Sequence, residues 1–260
     1  MCARLRFRDV LTHVRIVRPD IPDPLAAIDE RRLIVDGVIV TNPSSLVRAD
    51  APVVVRRAET LAGQRKLDAA IAAFRVDVAG STCVDLGAAA GGFTRSLLTH
   101  GAQHVYAVDV GFGQLRGTLH ADARVTSLER TNLADAGCQI SAPEGIDVLT
   151  ADLSFIALSD ALPQVCDLPF SPFATLMGLV KPQFELGLPR RPTDRAVVER
   201  AFVVACEGAT RAGWVPVAGM RSPIAGGRGA REFFLLARLA TTAFVRSASE
   251  VDPGPTTLGS

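Results

Sequence analysis

The sequence predicts an α/β protein: a doubly wound, mostly parallel sheet with an antiparallel last strand, preceded by a small α+β unit. Three observations predict it. Apolar runs ending in a charged residue recur at residues 82–85, 104–109, 145–152 and 174–181, separated by segments that can form crossover helices. The first run leads into a small-residue turn, Gly87-Ala-Ala-Ala-Gly-Gly92, which opens a helix at about Gly92. The final runs, 215–220 and 232–239, read as a closing antiparallel pair.

Length and composition bound the rest. At 260 residues the chain holds one such domain plus something small. Hydrophobic residues make up 48%, and no run of 18 apolar residues occurs, so a large core and no membrane span are expected. Met1 leads into an Arg-rich segment without the apolar stretch of a cleavable signal; the expected compartment is the cytoplasm. Cys2, Cys83, Cys138, Cys166 and Cys206 are widely spaced, include no C-x-x-C, and read as reduced thiols. His100 and His104 are separated by Gly101 at a helix–strand junction, so no metal is expected there. The net charge of +1 is uneven: residues 1–66 carry 12 Lys+Arg against 8 Asp+Glu, the remainder 16 against 19. A basic leading segment suggests a polyanion partner.

In chain order, residues 3–17 read as an amphipathic helix. Residues 33–41 are two short β runs about Asp36-Gly37, a hairpin signal. Residues 42–45 are a turn and 51–55 another strand, giving a first domain over 1–57 and a linker over 58–66. Residues 65–74 form a helix with apolar positions 67, 70, 71 and 74 on one face and Lys66 at its start, off that face. The second domain spans 67–240. After the central stretch it contains a short helix at 113–119, a strand at 125–128, and strands four and five at 145–152 and 174–181. A helix around 159–166 lies between those two, and a long helix follows at 194–212. The Ser/Thr/Pro/Gly-rich residues 241–260 are expected to be disordered.

The strand, turn and helix around 82–94 collect free N–H groups at one point, a place for a polar or anionic ligand. Asp109 ends the next strand 22 residues after Gly87, the offset at which a carboxylate takes hydrogen bonds from a ribose diol. The ligand is read as a nucleoside. The turn is not G-x-G-x-x-G, which disfavours NAD; S-adenosylmethionine, with a ribose and no pyrophosphate, suits it better. Ligands of doubly wound sheets lie outside the carboxyl ends of the strands, so Asp152 and Lys181 project beside the cofactor. Lys66 can reach the same rim, and Glu232 starts the last strand at that edge. Two lysines and two acids converging suit methyl transfer to a weakly acidic hydroxyl: a neutral amine takes the proton, a neighbouring cation favours that neutral form, and the acids orient both. The chain has 26 arginines and only two lysines, Lys66 and Lys181. A lysine kept against that bias can do what arginine cannot, which is to lose its proton.

The order helix, helix, Val-Asp-Gly-Val, Asn-Pro-Ser-Ser-Leu-Val over about residues 3–56 resembles the alpha-L RNA-binding motif of a small-subunit ribosomal protein and of RNA-modifying enzymes. That resemblance implies phosphate contacts on Arg4, Arg6, Arg8, Arg31 and Arg32. Asp20-Ile21 stands where such motifs usually carry Ser-Arg, and Arg31 where they carry a Gly. Asp85-Leu-Gly-Ala-Ala-Ala-Gly-Gly-Phe-Thr94, Glu129-Arg-Thr-Asn132, Asp152-Leu-Ser-Phe-Ile156, Val180-Lys-Pro-Gln-Phe-Glu185 and Arg231-Glu-Phe233 look like the TlyA (haemolysin A) family of FtsJ-like ribosomal RNA 2′-O-methyltransferases. The resemblance covers nearly residues 3–239. It implies a Rossmann-like class I methyltransferase fold, S-adenosylmethionine as donor, a cytidine 2′-hydroxyl as acceptor, and ribosomal RNA or ribosomal subunits as partners. The Lys-Asp-Lys-Glu tetrad of such enzymes falls on Lys66, Asp152, Lys181 and Glu232. Cofactor contacts fall on Asp85, Gly87, Ala89, Gly91, Gly92, Phe93, Asp109 and Asn132. The alternative reading is a non-catalytic RNA-binding or ribosome-assembly factor on the same fold. A haemolysin is suggested only by the family's historical name, against the absence of an apolar span or export signal.

Overall fold

Residues 6–56, 60–226 and 229–240 are described by the structure, a computed structural model. Arg4, linker residues 57–59 and the tail 241–260 lie outside the described residues. The chain divides into two compact units, residues 1–60 with 116–121, and residues 61–115 with 122–260.

In the first unit, the segment expected to be one helix over 3–17 is instead a strand, β1 (Phe7–Asp9), followed by α1 (Val10–Val17). Asp9 sets the boundary. Its backbone is extended, and its Oδ1 accepts from Thr12 N at 2.8 Å, capping the helix. Next come α2 (Pro24–Asp29), β2 (Leu33–Val35), β3 (Val38–Ile39), β4 (Leu46–Arg48) and β5 (Val53–Val55). Asp36 and Gly37 have φ of 52° and 79°, as a type I′ turn between β2 and β3 requires. β2 is the centre of a three-stranded sheet with β3 and β5, while β1 pairs antiparallel with β4. The core gathers Val10, Val14, Ile28, Leu33 and Val35, and buried His13 bonds through Nε2 to Ala51 O at 2.8 Å. The helical turn Gly117–His120 belongs to this unit: Asp29 accepts from Gly117 N and Thr118 N at 2.7 and 3.1 Å.

The second unit opens with α3 (Ala62–Phe74), so residues 62–66 of the expected linker are helical. Then follow β6 (Thr82–Leu86), α4 (Gly92–Thr99), β7 (His104–Asp109), β8 (Val125–Glu129) and β9 (Ile146–Ala151), the chain passing between β7 and β8 through α5, the Gly117–His120 turn of the first unit. After them come α6 (Leu158–Ala161), β10 (Phe170–Val180), α7 (Pro182–Glu185), α8 (Arg195–Arg211), β11 (Trp214–Arg221) and β12 (Phe233–Leu239). The seven strands run β11-β12-β10-β9-β6-β7-β8, with β12 antiparallel to both neighbours and the rest parallel. The order reverses between β6 and β9, which is where a doubly wound sheet opens a ligand crevice. β6, β9 and residues 174–180 of β10 are buried on both faces, in keeping with their largely apolar sequences. Among the described residues no helix is long and apolar enough to cross a membrane. Cys83, Cys138, Cys166 and Cys206 are unpaired there.

Two expected boundaries move for physical reasons. The helix placed at 113–119 begins only at Gly117, because Glu129 accepts from the backbone N–H of Gly113, Gln114 and Leu115 and holds them as a loop. β10 starts at Phe170, earlier than expected, through an irregularity before Thr175.

Asp85, inside β6, is fully buried, and burial pushes its carboxyl up to about 6 although Thr94 and Thr150 hydroxyls bond to it at 2.7 and 3.0 Å. An acid whose folded-state pKa is raised favours folding while protonated. That contribution is complete below the unfolded pKa and is lost as pH rises through about 6. Asp85→Asn is therefore expected to remove a fall in unfolding free energy of roughly 3 kcal/mol between about pH 4 and 6. Denaturant titrations of parent and variant across that window are the check; parallel pH profiles would contradict it.

Candidate active site

The carboxyl ends of β6, β7 and β9 meet at Gly87. Its φ is +80°, and a Cβ there would lie 2.8 Å from Asp152 O, so the turn admits only glycine. Gly87 N and Ala88 N donate to Val108 O at 2.9 and 3.1 Å, and Asp152 N donates to Leu86 O at 3.0 Å. Beside this junction is a cavity of about 380 Å³. Gly87, Ala89, Asp109, Gln114 and Asp152 line it, with Val108, Val110, Leu133 and Ile156 as apolar wall. Asp109 Oδ2 accepts from Ala89 N at 2.8 Å and Oδ1 from Gly111 N at 2.7 Å. Each oxygen keeps lone-pair capacity for a further donor, so the carboxylate is fixed and still able to receive a diol. A nucleoside fits this arrangement: a held acid for the ribose, apolar side chains for a base.

Of the residues assigned to the cofactor from sequence, Gly87, Ala89 and Asp109 line the cavity. The others sit elsewhere. Asp85 is buried beneath the turn on Thr94 and Thr150. Gly91, with φ +86°, caps α4, and Gly92 packs so tightly on α3 that a Cβ would lie 3.0 Å from Gln64 N. Phe93 is buried, stacked on Phe234 at 5.9 Å. Asn132 is exposed with Nδ2 turned to Asp135 at 3.4 Å, while its neighbours Thr131 and Leu133 face the cavity.

The four charged residues form two ion pairs. Lys181 Nζ lies 2.6 Å from Asp152 Oδ1 and donates to Ser154 Oγ at 3.4 Å. Lys66 Nζ lies 2.6 Å from Glu232 Oε2, with side chains only 8% and 5% exposed. The ladder joins the pairs. Val180 is opposite Phe233 in the β10–β12 pairing, so the next step places Lys181 opposite Glu232. Directly opposed residues have Cα atoms about 4.5–5.5 Å apart with side chains on one face. Lys66 is not at the start of its helix but inside it, on the turn that packs toward β12. Asp152, Lys181 and Glu232 thus share one edge of the sheet, and Asp152 also lines the cavity.

Three residues around the site were not singled out from sequence. Phe155 stands at the cavity mouth, 93% exposed, with an unfavourable φ of 80°. Ser154 is the second contact of Lys181. Glu185 is buried, and burial raises its carboxyl. Its oxygens accept from Leu158 N at 2.6 Å and Ser159 Oγ at 2.7 Å, tying the turn after Lys181 to the helix after the 152–156 loop. The signal for Ser154 and Phe155 was their place directly after a strand-ending acid. In the first unit, Arg6 and Arg31 are exposed and Arg8 half-buried, whereas Arg32 is held by Glu30 at 2.6 Å and bonds to Arg56 O.

A doubly wound sheet with a nucleoside cavity at its switch point, and lysine–acid pairs on the same edge, defines a class I methyltransferase. The chain belongs to the FtsJ-like methyltransferase family, whose model matches residues 63–239. It is 39% identical over 220 residues to the 16S/23S rRNA (cytidine-2′-O)-methyltransferase TlyA of Mycobacterium tuberculosis, covering 80% of each chain. It is 33% identical over 222 residues to YqxC, a candidate rRNA methyltransferase of Bacillus subtilis, covering 79% of this chain and 78% of that one. Among solved structures, a candidate hemolysin from Streptococcus thermophilus matches with a TM-score of 0.65 at 29% identity, covering 82% of this chain and 81% of that one.

Proposed function

We propose that this enzyme transfers the methyl group of S-adenosylmethionine to the ribose 2′-hydroxyl of a cytidine in ribosomal RNA. The observation that carries the reading is the Lys181–Asp152 pair, set on the strand edge where Asp152 also forms the cavity wall. The bound cofactor supplies an electrophilic methyl on a sulfonium. Asp109 holds the ribose diol, and the 87–92 turn brings the backbone against it. Asp152 and Ser154 fix Lys181 Nζ beside the acceptor. In its neutral form that amine takes the 2′-hydroxyl proton as the oxygen attacks. Lys66, on α3, and Glu232, opposite Lys181 in the ladder, provide the second cation and the acid that anchors it. Phe155 offers an exposed ring at the mouth on which the acceptor base can stack.

The first unit serves as the RNA-binding domain, with Arg6, Arg8 and Arg31 available to phosphates and Arg32 committed in part to Glu30. Ribosomal RNA in the cytoplasm, free or in a subunit, is the partner. Transfer of labelled methyl to unmodified 16S and 23S ribosomal RNA transcripts, followed by mapping of ribose methylation, tests the reading. A new 2′-O-methylcytidine is expected; cofactor binding with no transfer to either RNA would favour the assembly-factor alternative. Asp109→Ala is expected to weaken S-adenosylmethionine binding by about 1.5–3 kcal/mol, the worth of hydrogen bonds to a charged group. Calorimetric titration checks this, and unchanged affinity would move the ribose contact to another residue.

A further inference from the structure

We propose that the cleft between the end of β11 and the start of β12 binds a phosphate of the acceptor RNA strand, next to the nucleotide being methylated. The proposal rests on the function above and adds an RNA contact to the catalytic unit itself. The cleft is about 580 Å³ and is lined by Arg221, Ser222, Arg231 and Glu232 among others. Arg221 ends β11 and pairs across the ladder with Phe233, and Arg231 precedes Phe233 by two residues. Ser222 N donates to Glu232 O at 2.8 Å, fixing the two strand ends that carry the arginines.

Charge decides what the cleft accepts. Glu232 is answered at 2.6 Å by Lys66, so that pair contributes no net charge. Arg221 and Arg231 are both exposed, and among the described residues neither forms an ion pair. Other arginines of this chain behave differently: Arg18, Arg32, Arg48, Arg124 and Arg195 each bond to an acid two or four residues away. Two uncommitted guanidiniums in one concavity leave an excess of two positive charges, and their planar donor forks match phosphate oxygens. Glu232 belongs both to this cleft and to the tetrad, so an anion here lies immediately beside the reacting ribose. A strand whose hydroxyl reaches Lys181 has its backbone at this rim.

The test uses the full chain with Arg221→Ala and Arg231→Ala combined, and the Arg→Lys pair as the charge-keeping control. With unmodified 16S and 23S ribosomal RNA transcripts, KM for RNA should rise about 10-fold while kcat stays within about 2-fold. S-adenosylmethionine affinity should not change. The slope of log RNA affinity against log salt should become shallower by about 0.7, the release expected for one single-strand phosphate contact. The lysine pair should restore most of the KM and the slope. KM and salt slope unchanged in the alanine variant, with the parent active, would overturn the cleft and leave the function standing. No transfer by the parent would overturn the function, and the salt slope, read from binding alone, would still decide for or against the cleft.

Discussion

Lys181→Arg is expected to fold normally, bind S-adenosylmethionine and RNA nearly as the parent does, and transfer methyl groups at least ~100-fold more slowly. In the proposed mechanism this side chain takes the proton; its Nζ sits 2.6 Å from Asp152 Oδ1 and 3.4 Å from Ser154 Oγ, on the edge that borders the cavity. Arginine would keep the positive charge, the reach and the bond to Asp152. It offers donors only and does not deprotonate in a protein. Loss of a general base typically lowers the rate by ~10²–10⁴, or about 2.7–5.5 kcal/mol of barrier. A single-turnover measurement with labelled cofactor isolates the chemical step. An arginine variant within a few-fold of the parent would reduce Lys181 to a source of charge and send the search for the base elsewhere.

The second large effect is on stability. Glu232→Ala leaves Lys66 buried beside β12 without its partner, and removing one member of a buried pair costs about 3–5 kcal/mol. Replacing both together, Lys66→Met with Glu232→Leu, removes the stranded charge and fills the space, so most of that loss should be recovered. The double variant should nevertheless be inactive, which separates the pair's structural part from its chemical one. Chemical denaturation of the three proteins, read alongside methyl transfer, makes the comparison. If Glu232→Ala is as stable as the parent, the pair does not hold α3 to the last strand.

The strands of the second unit were legible because a parallel strand covered on both faces is predominantly apolar, as β6, β9 and residues 174–180 of β10 are. The charged residues at the ends of β7, β9 and β10 were legible because in this sheet type a run that stops at an acid or a lysine stops at the crevice; Asp85 is the exception, lying inside β6, which runs on to Leu86. What escaped was set by contacts distant in sequence. Gly113, at φ +65°, is a local mark of a turn, but what holds residues 113–115 as loop is Glu129, 14 to 16 residues on. β4 is three residues long and exists by pairing with β1 across 39 positions. Asp85 and Asn132 adjoin the cavity in sequence but point away from it, one beneath the turn and one outward. Adjacency predicts the neighbourhood of a site; the direction of each side chain follows from pleat and turn geometry.

The last strand of the described chain lies inside the sheet, between β10 and β11. During synthesis β10 and β11 are therefore both made before the strand that joins them, and β10 presents an open edge in the interval. Lys66 waits 166 residues for Glu232, roughly 10–30 s at ordinary elongation rates. The proposed active site is consequently complete only when the sheet is. A chain halted before residue 233 is not a weak enzyme but an unfinished fold, with a bare strand edge open to pairing with a second copy.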